Sequence, residues 1–161
     1  MNKFLSAVFL LGALLTIGSV SIAAGADADP VVGTWKLNVA KSKFSVGPAI
    51  KSQTRIYAQS AQGITLNMKT VGADGKETTT QTTYHFDGKD YPVMGTPDYD
   101  SLSAKQIDAN TAEFRLKKAG KAMGTTRRTV SNDGTTLTAT TRLTDASGAK
   151  SEQVTVYDKQ Q

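Results

Sequence analysis

Residues able to do acid, base or nucleophilic chemistry are scarce in this 161-residue chain. It holds one histidine, His85, and no cysteine, which removes thiol nucleophiles and histidine–thiolate metal sites. Catalysis by serine, histidine and aspartate would have to run through His85. That residue lies between Tyr84 and Phe86, and strand alternation turns it opposite to both rings, onto an exposed sheet face. The acidic pairs Asp87/Asp90 and Asp98/Asp100 could hold calcium or act as paired carboxylates. Each pair sits beside Gly or Pro, where aspartate is standard turn chemistry, and the calcium-loop pattern of alternating oxygen ligands ending in glutamate is missing. No glycine-rich loop precedes a helix to cradle a phosphate. No enzyme activity, metal or cofactor is therefore expected.

The elements that position these residues read as strands. From the Asp-Pro dipeptide at 29 and 30 onward, short β-forming runs alternate with turn signals at Gly63, Asp74-Gly75, Asp87-Gly88, Asp108 to Asn110, Gly120, Asp133-Gly134 and Ser147-Gly148. Punctuation every 10 to 15 residues or so, with Asp-Gly where tight primed turns need positive φ, predicts consecutive antiparallel hairpins. The runs lie near 31–38, 51–60, 63–71, 76–86, 90–93, 99–107, 111–118, 121–131, 135–144 and 149–158. Within them Ile64, Leu66 and Met68 share a face, as do Phe114 and Leu116, and Leu137, Ala139 and Leu143. No stretch beyond residue 30 sustains a helical apolar stripe, and a short helix or loop is expected between Val39 and Ile50. Sequential hairpins escape their edge problem by closing, so the expected fold is all-β, a single up-and-down antiparallel barrel of about 8–10 strands. An open two-sheet sandwich is the alternative architecture. Alternation also places Thr78, Thr80, Thr82, Tyr84 and Phe86 on one wall, which would give an amphiphilic interior if that wall faces a lumen.

Residues 1–24 read as a signal peptide. Lys3 is followed by the apolar stretch FLSAVFLLGALLTIGSV at 4–20 and by small residues that place cleavage near Ala23 or Ala24. Residues 25–30 read as a short linker and 31–161 as the barrel domain. The expected location is the periplasm or the cell exterior, with no stable membrane anchor left after cleavage. About 137 residues remain, enough for one core, and with no cysteine that core must hold without disulfides. The net charge of +5 is spread as single Lys and Arg residues among acidic ones, with Lys117-Lys118 and Arg127-Arg128 as the only local doublets. A nucleic-acid partner is not expected from that pattern. The oligomeric state is left open.

The segment Gly33-Thr34-Trp35-Lys36-Leu37-Asn38 opens the first strand and resembles the Gly-x-Trp motif of lipocalins. Ser-Lys-Phe at 42–44, Tyr-His-Phe-Asp-Gly-Lys-Asp-Tyr-Pro-Val at 84–93 and Val-Tyr-Asp-Lys-Gln at 156–160 look like small secreted bacterial proteins of the lipocalin-like group. The resemblance covers Val31 to Tyr157 and extends to the fatty-acid-binding-protein branch, because family disulfides and a closing helix are absent. It implies that Gly33 and Trp35 form a structural plug at one barrel end, with the indole packed by an arginine of a late strand. Arg127, Arg128 and Arg142 are the choices, and parity favours Arg128 as the inward one. It also implies a small hydrophobic or amphiphilic ligand in the lumen, with Met68, Tyr84, Phe86 and Phe114 as apolar walls and Arg55, Tyr57 or Arg128 as polar handles for an acidic head group. The alternative is a non-enzymatic envelope protein acting through its outer surface, as a protein-binding or hydrolase-inhibitor module, through the loop Tyr91 to Tyr99.

Overall fold

The computed structural model describes residues 28–45, 50–145 and 147–161. Residues 1–24, read from the sequence as a signal peptide, and residues 25–27 of the linker lie outside these residues. The chain forms ten strands: β1 (Gly33–Leu37), β2 (Ile50–Ser60), β3 (Gly63–Gly72), β4 (Glu77–Tyr84), β5 (Asp87–Met94), β6 (Ser101–Gln106), β7 (Thr111–Lys118), β8 (Lys121–Val130), β9 (Thr136–Thr144) and β10 (Lys150–Lys159). Each pairs antiparallel with its sequence neighbour and β10 pairs with β1, so the sheet is a closed barrel and not a sandwich. A 3-10 turn at Val39–Lys41, capped by the Asn38 side chain, occupies the one long connection.

The turn chemistry works as the sequence indicates. Gly75, Gly134 and Gly148 take positive φ at hairpin tips, whereas Gly88, expected at a turn, takes it inside β5 at the register shift between Asp87 and Asp90. Two other glycines are demanded by close approach. At Gly95 (φ +84°) a Cβ would lie 1.8 Å from the Thr79 carbonyl oxygen, and at Gly63 (φ +111°) 2.4 Å from that of Tyr84.

Register then decides which residues face inward. Trp35 lies opposite Arg55 and Lys159, Arg55 opposite Met68, and Met68 opposite Thr80. On the far wall Phe114 faces Thr126, Thr126 faces Thr141, and Thr141 faces Gln153. The inward set contains Trp35, Tyr84, Tyr157, Leu137 and Val130, all essentially inaccessible to water. Each large apolar side chain so buried contributes about 1.5–3 kcal/mol.

The two barrel ends differ. At one, called here the strap end, the segment before β1 crosses the opening and Val31 is fully buried. The other, the rim end, carries the β3–β4, β5–β6, β7–β8 and β9–β10 turns. Pairing is weakest between β4 and β5, where only Gln81 with Met94 and Thr82 with Val93 are in register. Pro92 lacks an N–H there, and the Thr82 hydroxyl donates instead to the Pro92 carbonyl at 2.9 Å.

Candidate functional site

The strap half of the interior is filled. Tyr84, on β4, meets Phe114 edge-on at 5.2 Å and Phe86 at 5.6 Å between ring centres. The Arg128 guanidinium lies among Tyr57, Phe86 and Phe114, 5.5 to 5.9 Å from their centroids. Its Nη1 donates to the Tyr84 hydroxyl at 3.0 Å, and its Nη2 reaches both carboxylate oxygens of Asp29 at 3.4 Å. Its Nε is buried without a partner. Burial, the largest influence, holds the Tyr84 hydroxyl well above the usual phenol range, although Arg128 pulls the other way. Parity thus correctly turns Arg128 inward, where it fastens the strap to the barrel.

Trp35 is fully buried, and its Nε1 donates to the Val31 carbonyl at 2.6 Å, which ties the ring to the strap. The resemblance implies an arginine over this ring. The cation found there is Lys159 of β10, 5.1 Å from the ring centroid.

An open cleft of about 540 Å³ lies outside the strap end, bordered by Asp29, Pro30, Gln59, Ile64, Tyr84 and Phe86. His85 stands at its edge, exposed as alternation predicts.

The rim half is different in character. Its inward residues Met68, Thr70, Thr126, Thr141, Ser151 and Gln153 are only partly buried, and Thr78 is exposed. Inward-facing side chains that still reach water mark this half of the lumen as open. Arg55 stands at its floor. The Arg55 Nε donates to Gln53 Oε1 at 3.1 Å, and the guanidinium carbon lies 4.4 Å from the Tyr157 ring centroid. Gln53 is a bracket: its Oε1 also accepts the Tyr157 hydroxyl, and its Nε2 donates to Thr70 Oγ1 at 2.8 Å. Burial works to lower the Arg55 pKa and the neighbouring Tyr157, Tyr57 and Tyr99 oxygens to raise it, with a net upward shift, and a guanidinium is charged at any physiological pH. No acidic side chain forms an ion pair with Arg55 among the described residues. Nor does any Asp or Glu occupy an inward strand position there.

The structure thus divides the residues singled out from sequence. Arg55, Tyr57 and Met68 border one another around the open half. Tyr84, Phe86, Phe114 and Arg128 form a separate cluster under the strap, and Gly33 and Trp35 sit at the same closed end. Sequence reasoning missed Gln53, Tyr157 and Asp29, and it put Tyr99 in an outer loop. Parity could have found Gln53, which shares the Arg55 face. In the loop considered as an outer docking surface, Met94 is exposed, but Tyr99 packs against the core and the Tyr91 hydroxyl donates to Asp87 at 2.9 Å.

No protein-family model matches this chain and no curated protein matches it. The geometry by itself establishes a closed ten-strand antiparallel barrel, consistent with the calycin-like kind.

Proposed function

We propose that this protein is an extracytoplasmic, lipocalin-like binding protein that holds a small amphiphilic anion in the open half of its lumen and carries out no reaction on it. The observation that carries this reading is Arg55, a charged guanidinium facing the lumen with no carboxylate to neutralise it. Arg128, the other inward arginine, already has Asp29. A cation withdrawn from bulk water without a counter-ion favours the entry of one, and charge-assisted hydrogen bonds are about twice as strong as neutral ones. The bracket of Gln53 and the face of Tyr157 hold the guanidinium in one orientation before any ligand arrives, which limits the entropy lost on binding.

Fluorescence titration with 8-anilinonaphthalene-1-sulfonate, an anion with an aromatic body, tests the site. Wild-type protein is expected to bind it, and Arg55→Gln to bind it about 10- to 100-fold more weakly, since a hydrogen bond to a charged group is worth about 1.5–3 kcal/mol. Wild-type protein that binds neither this probe nor any carboxylate would end the proposal. Location is checked separately by N-terminal sequencing of protein from the culture medium and periplasm: a mature chain starting near Gly25 is expected, and a retained Met1 would count against export.

A further inference from the structure

We infer that the anion held at Arg55 is a hydroxylated monocarboxylate, an acidic sugar such as a hexuronate, and not an alkyl-chain acid. This rests on the reading of Arg55 as the anion site. Three features of the open half point to it. The first is charge. One uncompensated guanidinium stands there, because Arg128 is paired with Asp29 and Lys159 lies over Trp35 at the strap end. A single negative charge matches it, and a planar carboxylate suits the two Nη groups left when Nε is held by Gln53.

The second feature is the wall. Hydroxyls from Thr70, which already accepts from Gln53, and Thr78 line one side of the open half and those from Thr126 and Thr141 the other. The last two hydroxyls already lie within 2.9 Å of each other. A hydroxyl covered by an alkyl chain loses its water and gains nothing in return, whereas a sugar hydroxyl both donates and accepts. The threonines therefore select against a lipid tail and for a polyol.

The third is the placing of apolar surface. The apolar cluster of Trp35, Tyr84, Phe114 and Leu137 lies in the strap half and is filled by its own side chains, which leaves an alkyl tail only a short apolar stretch at Met68 and Leu66. The Tyr157 ring, 4.4 Å from the Arg55 guanidinium carbon, is itself fully buried, so it offers the open half no apolar face and leaves the guanidinium edge as the surface presented there.

Calorimetric titration of the mature protein with D-glucuronate, D-glucose and hexanoate separates the contributions. Glucuronate is expected to bind at least tenfold more tightly than either of the others, because glucose lacks the charge and hexanoate the hydroxyls. Thr126→Val with Thr141→Val is expected to weaken glucuronate severalfold while leaving hexanoate unchanged, with unaltered Trp35 emission as proof that the barrel is intact. Hexanoate binding as tightly as glucuronate, or more so, would overturn the sugar-acid assignment while leaving the anion site standing. If no carboxylate binds and 8-anilinonaphthalene-1-sulfonate does not bind either, the anion site itself is wrong and this inference goes with it.

Discussion

Replacing Asp29 by Asn removes one charge from a pair that is nearly excluded from water, with side chains 8% exposed at Asp29 and 3% at Arg128. The amide keeps the shape and can still accept from the Val31 N–H, as Asp29 Oδ1 does at 2.9 Å. What changes is that Arg128 becomes an uncompensated buried cation whose Nε already lacks a partner. Breaking a buried pair in this way costs about 3–5 kcal/mol. The 3.4 Å contacts, longer than a tight charge-assisted bond, place the expected loss at the lower end, about 3 kcal/mol. For a domain of this size that corresponds to a fall in Tm of roughly 10–15 °C. Urea unfolding followed by Trp35 emission and by circular dichroism measures it. The double variant Asp29→Asn, Arg128→Met removes the stranded charge as well and is expected to recover more than half of the loss, because no buried charge is left unpaired and the Asn amide keeps its hydrogen bond to the Val31 N–H. A single variant within about 0.5 kcal/mol of wild type, or a double variant less stable than the single one, would refute the reasoning. Binding at Arg55 is expected to be unaffected, since the pair lies in the other half of the barrel.

Trp35→Ala should cost about 3–5 kcal/mol, the range for emptying a large aromatic site, and Trp35→Phe less. The wild-type emission should be blue-shifted, and water-like emission from folded protein would contradict the burial seen here. Burial raises the pKa values of Tyr84, Tyr99 and Tyr157, so the stability they contribute is fully present below the unfolded phenol value of about 10 and is lost as pH rises through the folded values. Absorbance titration should therefore show these phenolates appearing together with unfolding above about pH 10, and free titration of all five tyrosines near 10 in the folded protein would be the contrary result. Hydrogen bonds from Ser131 at Asp133 and from Ser147 at Asp145 lower those carboxyl pKa values, so their contribution is present above about pH 4 and lost as pH falls through the folded values. Tm should decline on acidification below about pH 4, and a flat profile down to about pH 2 would argue against it. Gly95→Ala should cost about 1–3 kcal/mol by thermal unfolding, since its Cβ meets the Thr79 carbonyl and its φ is +84°; a neutral effect would mean the β5–β6 loop simply moves aside.

Strand positions were legible because Asp-Gly and Gly residues mark nearly every hairpin and because β-branched residues alternate between them. The inward face of Arg128 followed from parity, and the burial of Trp35 from the Gly-x-Trp resemblance. Asp29 was hidden for a reason of distance: beside Pro30 it reads as a linker residue, and its partner is 99 positions away. Lys159 was missed over Trp35 because it stands at the chain end, where a lysine reads as solvated. The division of the interior into a filled and an open half was also invisible. It depends on the tilt and stagger of strands around the ring, which set the height of each inward residue, and a single strand's alternation carries no information about height.

The pairing of β1 with β10 has a consequence for how the molecule comes into being. Strands β2 to β9 can join their neighbours as local hairpins, whereas the ring closes only when Trp35 meets Lys159 and the Gln160 N–H reaches the Thr34 carbonyl at 2.8 Å. That contact spans almost the whole domain and must overcome the largest loop-closure entropy in the fold. The barrel therefore cannot close until β10 is free to pair with β1. Closure of the first strand on the last is expected to limit the folding rate, and loss of the final few residues should leave a ladder of hairpins with two open edges.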